Sequence, residues 1–536
     1  MKLIEAEEAA GLVQDGWTVA CAGFVGAGHA EAVTRALEQR FLAQARPRGL
    51  TLVYSAGQGD RGRRGVNHFG HAGLVQSICG GHWRAAPRLA ELALAEAAEA
   101  YNLPQGVITH LYRSIAAGQP GLLTRVGLHT FVDPRSHLDA RYQGGALNRR
   151  ARDALAAGRP PWVEAVSLRG EELLFYPAFP IHCALLRATA ADARGNLSCH
   201  GEPFHHELLA IAQAARNSGG IVIAQVRELV EHHAALAPIR VPGILVDHVV
   251  LCRDEEDHRM TFGEAHNEAY LKPWRGDEAA PFVQPPLDAR TLVQRRAVLE
   301  LAARRPRVVN LGVGMPAAVG AMARAAGLAG FTLTVEAGPV GGTPADGMSF
   351  GASAYPEAVV DQPAQFDFYD GGGIELAMLG LAELDVAGNV NVSRFGEGES
   401  ALIAGVGGFI NITQGARALV FMGTLTAGGL QVRAGDGRLH IEREGRLKKL
   451  VPAVSHLSFN AAHIARRGVP VRYITERAVF EMRPGPGATP CLTLTEIAPG
   501  LELQRDVLDA CGAPVAVAPD LALMDARIFR AGPLTL

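Results

Sequence analysis

Short apolar runs alternate with alanine-rich stretches along most of the chain. VVLC at residues 249–252 and VVNLGVG at 308–314 are runs of this kind, and EAVTRALEQR at 31–40 is one of the helical patterns between them. Continuous apolar runs separated by helical patterns are typical of parallel sheets that are covered by helices on both faces. We therefore predict a doubly wound α/β architecture.

The pattern occurs twice. An apolar strand, a glycine-rich turn and a helix are predicted near residues 18–37 and again near 308–327. A second strand follows in each half, so that Ser55 falls opposite Glu336. Two further matches occur in the same order, and these place 191–197 beside 384–390, and 215–226 beside 413–425. Four matches in one order predict two duplicated doubly wound parallel-sheet domains.

A proline-rich segment separates the two halves. LKPWRGDEAAPFVQPPLDARTL combines four prolines with mixed charge, which is typical of a linker. We place the N-terminal domain at residues 1–271, the linker at 272–290 and the C-terminal domain at 291–536.

Composition excludes several classes of function. The 536 residues are 48% hydrophobic and 20% charged with a net charge of −3, so no basic field for nucleic acid is expected. The acidic start lacks the pattern of a signal peptide, and the most apolar stretch, 236–252, is interrupted by Arg240 and Asp247. The seven scattered cysteines form no CxxC pair. We expect a cytoplasmic protein with reduced thiols and with neither a nucleic-acid nor a membrane partner.

The glycine-rich turn of the second half admits two interpretations. Gly312, Gly314 and Ala317 fit a dinucleotide fingerprint, and Glu336 lies at the distance of a ribose-binding acid. The loop Ala-Gly-Pro-Val-Gly-Gly-Thr-Pro that follows Glu336 lacks bulky side chains, so it also suits a carboxylate that something large must approach. The segment Gly405-Val-Gly407-Gly408 also admits two interpretations. Its N–H groups could stabilise an oxyanion, or its glycines could form a turn that requires positive φ.

Beyond these patterns, the segment from Glu336 to Leu430 closely resembles family I CoA-transferases. It includes GGTPADGMSFGASAYPEAVVDQPAQFDFYDGGG. GFVGAGHAEAV, YNLPQGV and TFVDPR in the first half also resemble this family, more narrowly its single-chain acetate or propionate group. In that group two domains of one duplicated fold are fused in a single chain.

The resemblance implies a role for particular residues. Glu336 matches the residue that becomes a glutamyl-CoA thioester, and Gln105 matches the glutamine that faces the reacting carbonyl. The loop with Gly405 contains the two glycines whose amides help to hold the oxyanion. The oxyanion glycines are Gly407 and Gly408. The turn that closes over the site matches Gly23, Phe24, Gly26 and Gly28.

The resemblance also implies ping-pong transfer of CoA from a short-chain acyl-CoA to a carboxylic acid of the acetate, propionate, butyrate or 3-oxoacid type. Coenzyme A is then a substrate, no cofactor or metal is needed, and relatives form homodimers or homotetramers. An acyl-CoA thioesterase on the same fold, an NAD-dependent oxidoreductase and a ligand-binding sensor are the alternatives. His205-His206-Glu207 lacks the second histidine of HExxH, so we interpret it as a solvated helix end.

Overall fold

The computed structural model describes residues 1–273, 283–396, 398–485 and 490–536. Packing groups the chain into two compact units, and both units contain separated segments. The first comprises 1–274, 335–367 and 393–411. The second comprises 275–334, 368–392 and 412–536.

The first unit is built on a sheet of eight main strands, each of which runs parallel to its neighbours. In order across the sheet, the strands are Lys2–Ile4, His248–Leu251, Ile221–Val230, Cys183–Asp192, Thr18–Cys21, Leu50–Tyr54, Val75–Gly80 and Glu99–Asn102. The order reverses beside Thr18–Cys21, because later strands are added on the opposite side from earlier ones. Ligands bind at the carboxyl ends of parallel strands near such a reversal.

Helices connect these strands. They are Ala6–Leu12, Glu31–Gln44, Pro87–Leu94, Gln105–Ala116, Arg149–Ala156 and Leu208–Asn217. The first three bury Ala10, Val33 and Leu89 in one apolar cluster with the sheet residue Leu52, and burial of such side chains is the main driving force for folding. Gln105–Ala116 packs against Leu208–Asn217.

Smaller strands complete the first unit. An antiparallel sheet has the order Gly121–Thr124, Glu171–Pro177, Glu164–Leu168. The remaining short strands of this unit are Leu197–Ser198, Ile239–Val241, Pro339–Val340, Thr343–Pro344, Ser353–Ala354, Ala358–Val359, Arg394–Phe395 and Leu402–Ile403.

The second unit contains a sheet that is parallel at one side and mixed at the other. Its strands, in order, are Thr332–Thr334, Val308–Leu311, Leu376–Gly380, Leu419–Met422, Val471–Ile474, Ala478–Pro484, Pro490–Ile497 and Ala516–Leu523. The short strands outside this sheet are Glu383–Asp385, Val390–Asn391, Thr426–Ala427, Gln431–Gly435, Arg438–Arg443, Leu447–Lys448 and Leu450–Val451.

The helices of the second unit are Ala289–Arg304, Val319–Ala325 and Ala461–Arg466. The first begins after Asp288, whose side chain accepts a hydrogen bond from the N–H of Thr291, a favourable N-cap. Two further helices, Gln362–Asp370 and Phe409–Gly415, contain points at which the chain passes from one unit to the other. No helix in the described residues is long and apolar enough to span a membrane.

The predicted α/β class with parallel sheets is confirmed. One predicted match between the halves has the same local structure in both. Asp192 Oδ1 accepts a hydrogen bond from Asn196 N, and Asp385 Oδ1 accepts one from Asn389 N, each at 2.9 Å. The assignment of domains to 1–271 and 291–536 stays a prediction, and part of the predicted linker, 272–290, lies outside the described residues.

Candidate active site

Four neighbouring strands of the first sheet are each followed closely in sequence by a glycine or a polar residue. The carboxyl ends of parallel strands meet at one edge, so the residues that follow them come together there. Those residues, in strand order, are Gly23, Ser55, His82 and Gln105.

A glycine loop is attached to this edge by backbone hydrogen bonds. Gly407 donates its N–H to the Gly81 carbonyl at 2.7 Å, and its own carbonyl accepts the Gln105 N–H at 2.9 Å. Val406 donates its N–H to Asn102 Oδ1 at 3.0 Å. The first unit thus places the loop directly beside the start of helix Gln105–Ala116.

Glu336 lies against the same loop. A Cβ added to Gly408 would come within 2.8 Å of the Glu336 carboxyl carbon, so only a glycine allows this approach. Burial raises the pKa of Glu336 to about 7, while the Gln105 side chain and the Gly408 N–H favour the ionised form and oppose that rise. The structure therefore brings together Glu336, Gln105, Gly407 and Gly408.

The Gln105 amide still has hydrogen-bonding capacity. Its Nε2 atom is buried and carries two N–H groups, and apart from the interaction with Glu336 it has no hydrogen-bond partner within the described part of the chain. Because buried polar groups are nearly always paired, this donor suits an acceptor atom that a substrate brings.

The glycines of this loop differ in backbone conformation and in what their N–H groups meet. Gly405 and Gly407 have φ of 73° and 53°, as a turn with positive φ requires. Gly405 also lies against His82 and Trp83, where an added Cβ would come within 2.9 Å and 2.8 Å of existing atoms. Gly408 has no positive φ and instead presents its N–H to the Glu336 carboxylate.

The three glycines of the turn after the first central strand lie against other groups. A Cβ on Gly23 would lie 3.0 Å from Gln58, and added Cβ atoms on Gly26 and Gly28 would overlap Met348 and His206. The nearest neighbours of these three glycines therefore do not include Glu336.

Phe24, in the same turn, packs in an apolar cluster that also contains Ala56 and Ala337. Ala337 is the residue after Glu336, so Phe24 packs in the same apolar cluster as the turn that carries Glu336.

A caffeate CoA-transferase of Acetobacterium woodii is 41% identical to this chain over 532 residues, covering 98% of this chain and 97% of the relative. The chain belongs to the coenzyme A transferase family. The family model, Coenzyme A transferase, matches residues 3–251.

Other CoA-transferases are similar over the same length. The acetate CoA-transferase YdiF of Escherichia coli K12 is 39% identical and covers 98% of this chain and 95% of its own. The crystal structure of the YdiF apoenzyme from Escherichia coli O157:H7 has a TM-score of 0.89 and 37% identity, covering 100% of this chain and 97% of that one. A YdiF thioester complex with CoA has a TM-score of 0.88.

His82 is a site residue that sequence reasoning on this CoA-transferase missed. A Cβ added to Gly57 would come within 2.4 Å of His82 Nδ1, and His82 Cδ2 is 3.8 Å from the Cβ position of Gly407. Burial, together with the charges of Arg84 and Arg61, lowers the pKa of His82 to about 4, so the imidazole is neutral. The signal was its position just after the strand Val75–Gly80.

The interpretation of His205-His206-Glu207 as a solvated helix end is wrong. His206 and Glu207 are each 1% exposed, and Ser55 Oγ donates a hydrogen bond to Glu207 Oε1 at 2.8 Å. The transferase thus buries a second carboxyl group next to Ser55, the residue that the internal repeat sets opposite Glu336.

The described residues contain no group of three or more His, Cys, Asp or Glu side chains arranged to hold a metal ion.

Proposed function

We propose that this CoA-transferase moves CoA from a short-chain acyl-CoA to a carboxylic acid through a covalent thioester on Glu336. The observation that carries the proposal is the position of the Glu336 carboxylate against the Gly408 N–H and beside Gln105. A thioester complex with CoA has been crystallised for the related YdiF, which supports a covalent route.

In the first step a carboxylate oxygen of Glu336 attacks the thioester carbon of the acyl-CoA. The carbon–sulfur bond breaks, CoA leaves as a thiolate, and a mixed anhydride remains on Glu336. The thiolate then attacks the glutamyl carbonyl, the anhydride carbon–oxygen bond breaks, and the free acid departs as a carboxylate. A second acid reverses both steps, so no net proton is taken up or released.

The local environment favours this chemistry. Burial removes water from Glu336, which makes its carboxylate a better nucleophile and protects the anhydride from hydrolysis. The Gly408 N–H and Gln105 Nε2 are the donors that we assign to the developing oxyanion. Loss of one such donor typically costs ~100-fold or more in rate.

The proposed substrates are short-chain acyl-CoA and acids of the acetate, propionate, butyrate or 3-oxoacid type. Relatives are named for acetate and for caffeate, so the acceptor differs among similar chains. Coenzyme A acts as a substrate, and the proposed route uses no metal or organic cofactor. We also propose that the protein forms a homodimer or homotetramer and that it is located in the cytoplasm.

Intact-mass spectrometry of the protein after incubation with acetyl-CoA tests this function. We expect the mass to increase by one CoA less one water, and Glu336→Gln to abolish the increase because an amide is not a nucleophile of this kind. Glu91→Gln, at an exposed glutamate of the same unit, is the matched control and should retain the adduct. An adduct that survives Glu336→Gln contradicts the assignment.

The same incubation distinguishes transfer from thioester hydrolysis. A transferase holds CoA on the protein until an acid is added, and then produces the new acyl-CoA. Continuous release of free CoA without an added acid would instead identify a thioesterase.

A further inference from the structure

Glu207 is a buried carboxyl group that the proposed chemistry does not use. It precedes the helix Leu208–Asn217, and its Oε1 accepts the 2.8 Å hydrogen bond from Ser55 Oγ. Its Oε2 is buried and has no hydrogen-bond partner in the described ranges. A buried charge needs a partner, so this carboxyl group is expected to be neutral.

The hydrogen bonds around Ser55 are consistent with a neutral acid. Gln362 Nε2 donates to Ser55 Oγ at 3.4 Å, and Ser55 Oγ in turn donates to Glu207 Oε1. Oε1 then acts as the carbonyl oxygen of a protonated acid. Burial raises the pKa of Glu207 to about 8, against the hydrogen bonds from Ser55 and from its own backbone.

Among the residues that the structure describes, the groups beside Glu207 supply no compensating positive charge. Tyr112, from helix Gln105–Ala116, is a neutral phenol whose pKa burial raises well above its usual value. The adjacent His205 and His206 are also neutral, because burial lowers their pKa values to about 4 and about 3. The hydroxyl of Ser55 and the amide of Gln362 are uncharged.

Ser55 is connected to the active site through the backbone. The Ser55 carbonyl lies so close to Gly81 that a Cβ there would overlap its oxygen. Gly81 accepts the N–H of Gly407, and Gly407 accepts the N–H of Gln105. A path of direct contacts therefore runs from Glu207 through Ser55, Gly81 and Gly407 to Gln105.

We propose that Glu207, as a neutral carboxylic acid, is a positioning residue that holds Ser55 and thereby sets the Gly81–Gly407 contact beside Glu336. This inference rests on the proposed function of Glu336. Ionisation of Glu207 leaves an uncompensated buried charge, which is relieved by local rearrangement around Ser55. Movement of Gly407 by about 1 Å is sufficient to lower the rate by ~100-fold.

The test compares the wild type with Glu207→Gln, which has the shape of the neutral acid but cannot ionise. The kcat and KM of CoA transfer from acetyl-CoA to propionate are measured from about pH 6 to about pH 10. We expect the wild-type kcat to fall above about pH 8, and Glu207→Gln to remain within about threefold of wild type at neutral pH with no such fall. Glu91→Gln is the control and should keep the wild-type alkaline fall.

Glu207→Ala removes the anchor for Ser55. We expect its kcat to drop by up to ~100-fold while the KM for acetyl-CoA changes little, because the effect is on alignment rather than on binding. A thermal melt shows whether Glu207→Ala is folded. If it is unfolded, the pH profile of Glu207→Gln tests the inference by itself.

Two results overturn the inference: an alkaline fall in Glu207→Gln equal to that of the wild type, or a neutral-pH kcat of Glu207→Gln that is lowered ~100-fold. Both are separable from a failure of the proposed function. If the wild type forms the CoA adduct and Glu336→Gln does not, the function stands whatever Glu207 does.

Discussion

Gly408→Ala tests the proposed site at the contact that most depends on the absence of a side chain. The methyl group would lie 2.8 Å from the Glu336 carboxyl carbon, 2.9 Å from Oε2 and 3.1 Å from Oε1. Carbon atoms in van der Waals contact lie about 3.5–4.0 Å apart, so the carboxylate or the loop must move by at least about 0.7 Å. Gly408 has no positive φ, so backbone strain does not add to the effect.

The size of the effect follows from this displacement. A misplacement of about 1 Å at a reacting group can lower the rate ~100-fold, which corresponds to about 2.7 kcal/mol of activation free energy. The same methyl group also shifts the N–H that interacts with the carboxylate. Overpacking typically lowers the free energy of unfolding by about 1–3 kcal/mol, so the variant should remain folded.

The assay is the rate of CoA transfer from acetyl-CoA to propionate, with circular dichroism to follow unfolding. Gly11→Ala is the matched control, because Gly11 lies within helix Ala6–Leu12 and its added Cβ meets nothing within 4 Å. It should leave the rate unchanged and increase the free energy of unfolding by about 0.5–1 kcal/mol. A folded Gly408→Ala protein with a rate within threefold of the wild type would refute the reasoning.

Two further predictions concern ionisation and stability. Because only the ionised Glu336 can attack and burial raises its pKa to about 7, kcat/KM should fall about tenfold per pH unit below that value, and a profile that stays flat to about pH 5 would contradict this. Arg187→Met should lower the free energy of unfolding in urea by about 3–5 kcal/mol, because it leaves the buried Glu202, 2.6 Å away, without its main partner. Arg433→Met, in the exposed pair with Glu442, is its control and should change stability by less than about 1 kcal/mol; equal losses in the two variants would count against the argument.

The sequence was informative where the signal is local. Apolar runs and glycine turns predicted the parallel sheets, because strand burial and positive φ leave marks on neighbouring residues. The side-chain-poor loop after Glu336 indicated a carboxylate that a large group approaches. The resemblance then pointed to Gln105, Gly407 and Gly408, which the structure places around that carboxylate.

The sequence was uninformative about pairings between distant segments. The Val406 N–H meets Asn102 across 304 positions, and no pattern along the chain indicates such a contact. The position of His82 after a strand was a sequence signal, but only the pairing of its strand end with the glycine loop makes it part of the site.

By itself, the sequence determined the class of fold and the internal repeat, since both follow from the order of residue types along the chain, and its resemblance to a family supplied the candidate nucleophile. Only the tertiary structure decided which carboxyl groups are desolvated. Glu207 looks like a solvated residue in the sequence but is 1% exposed. The pKa of a carboxyl group depends on how much water and charge surround it, and packing between remote segments sets both.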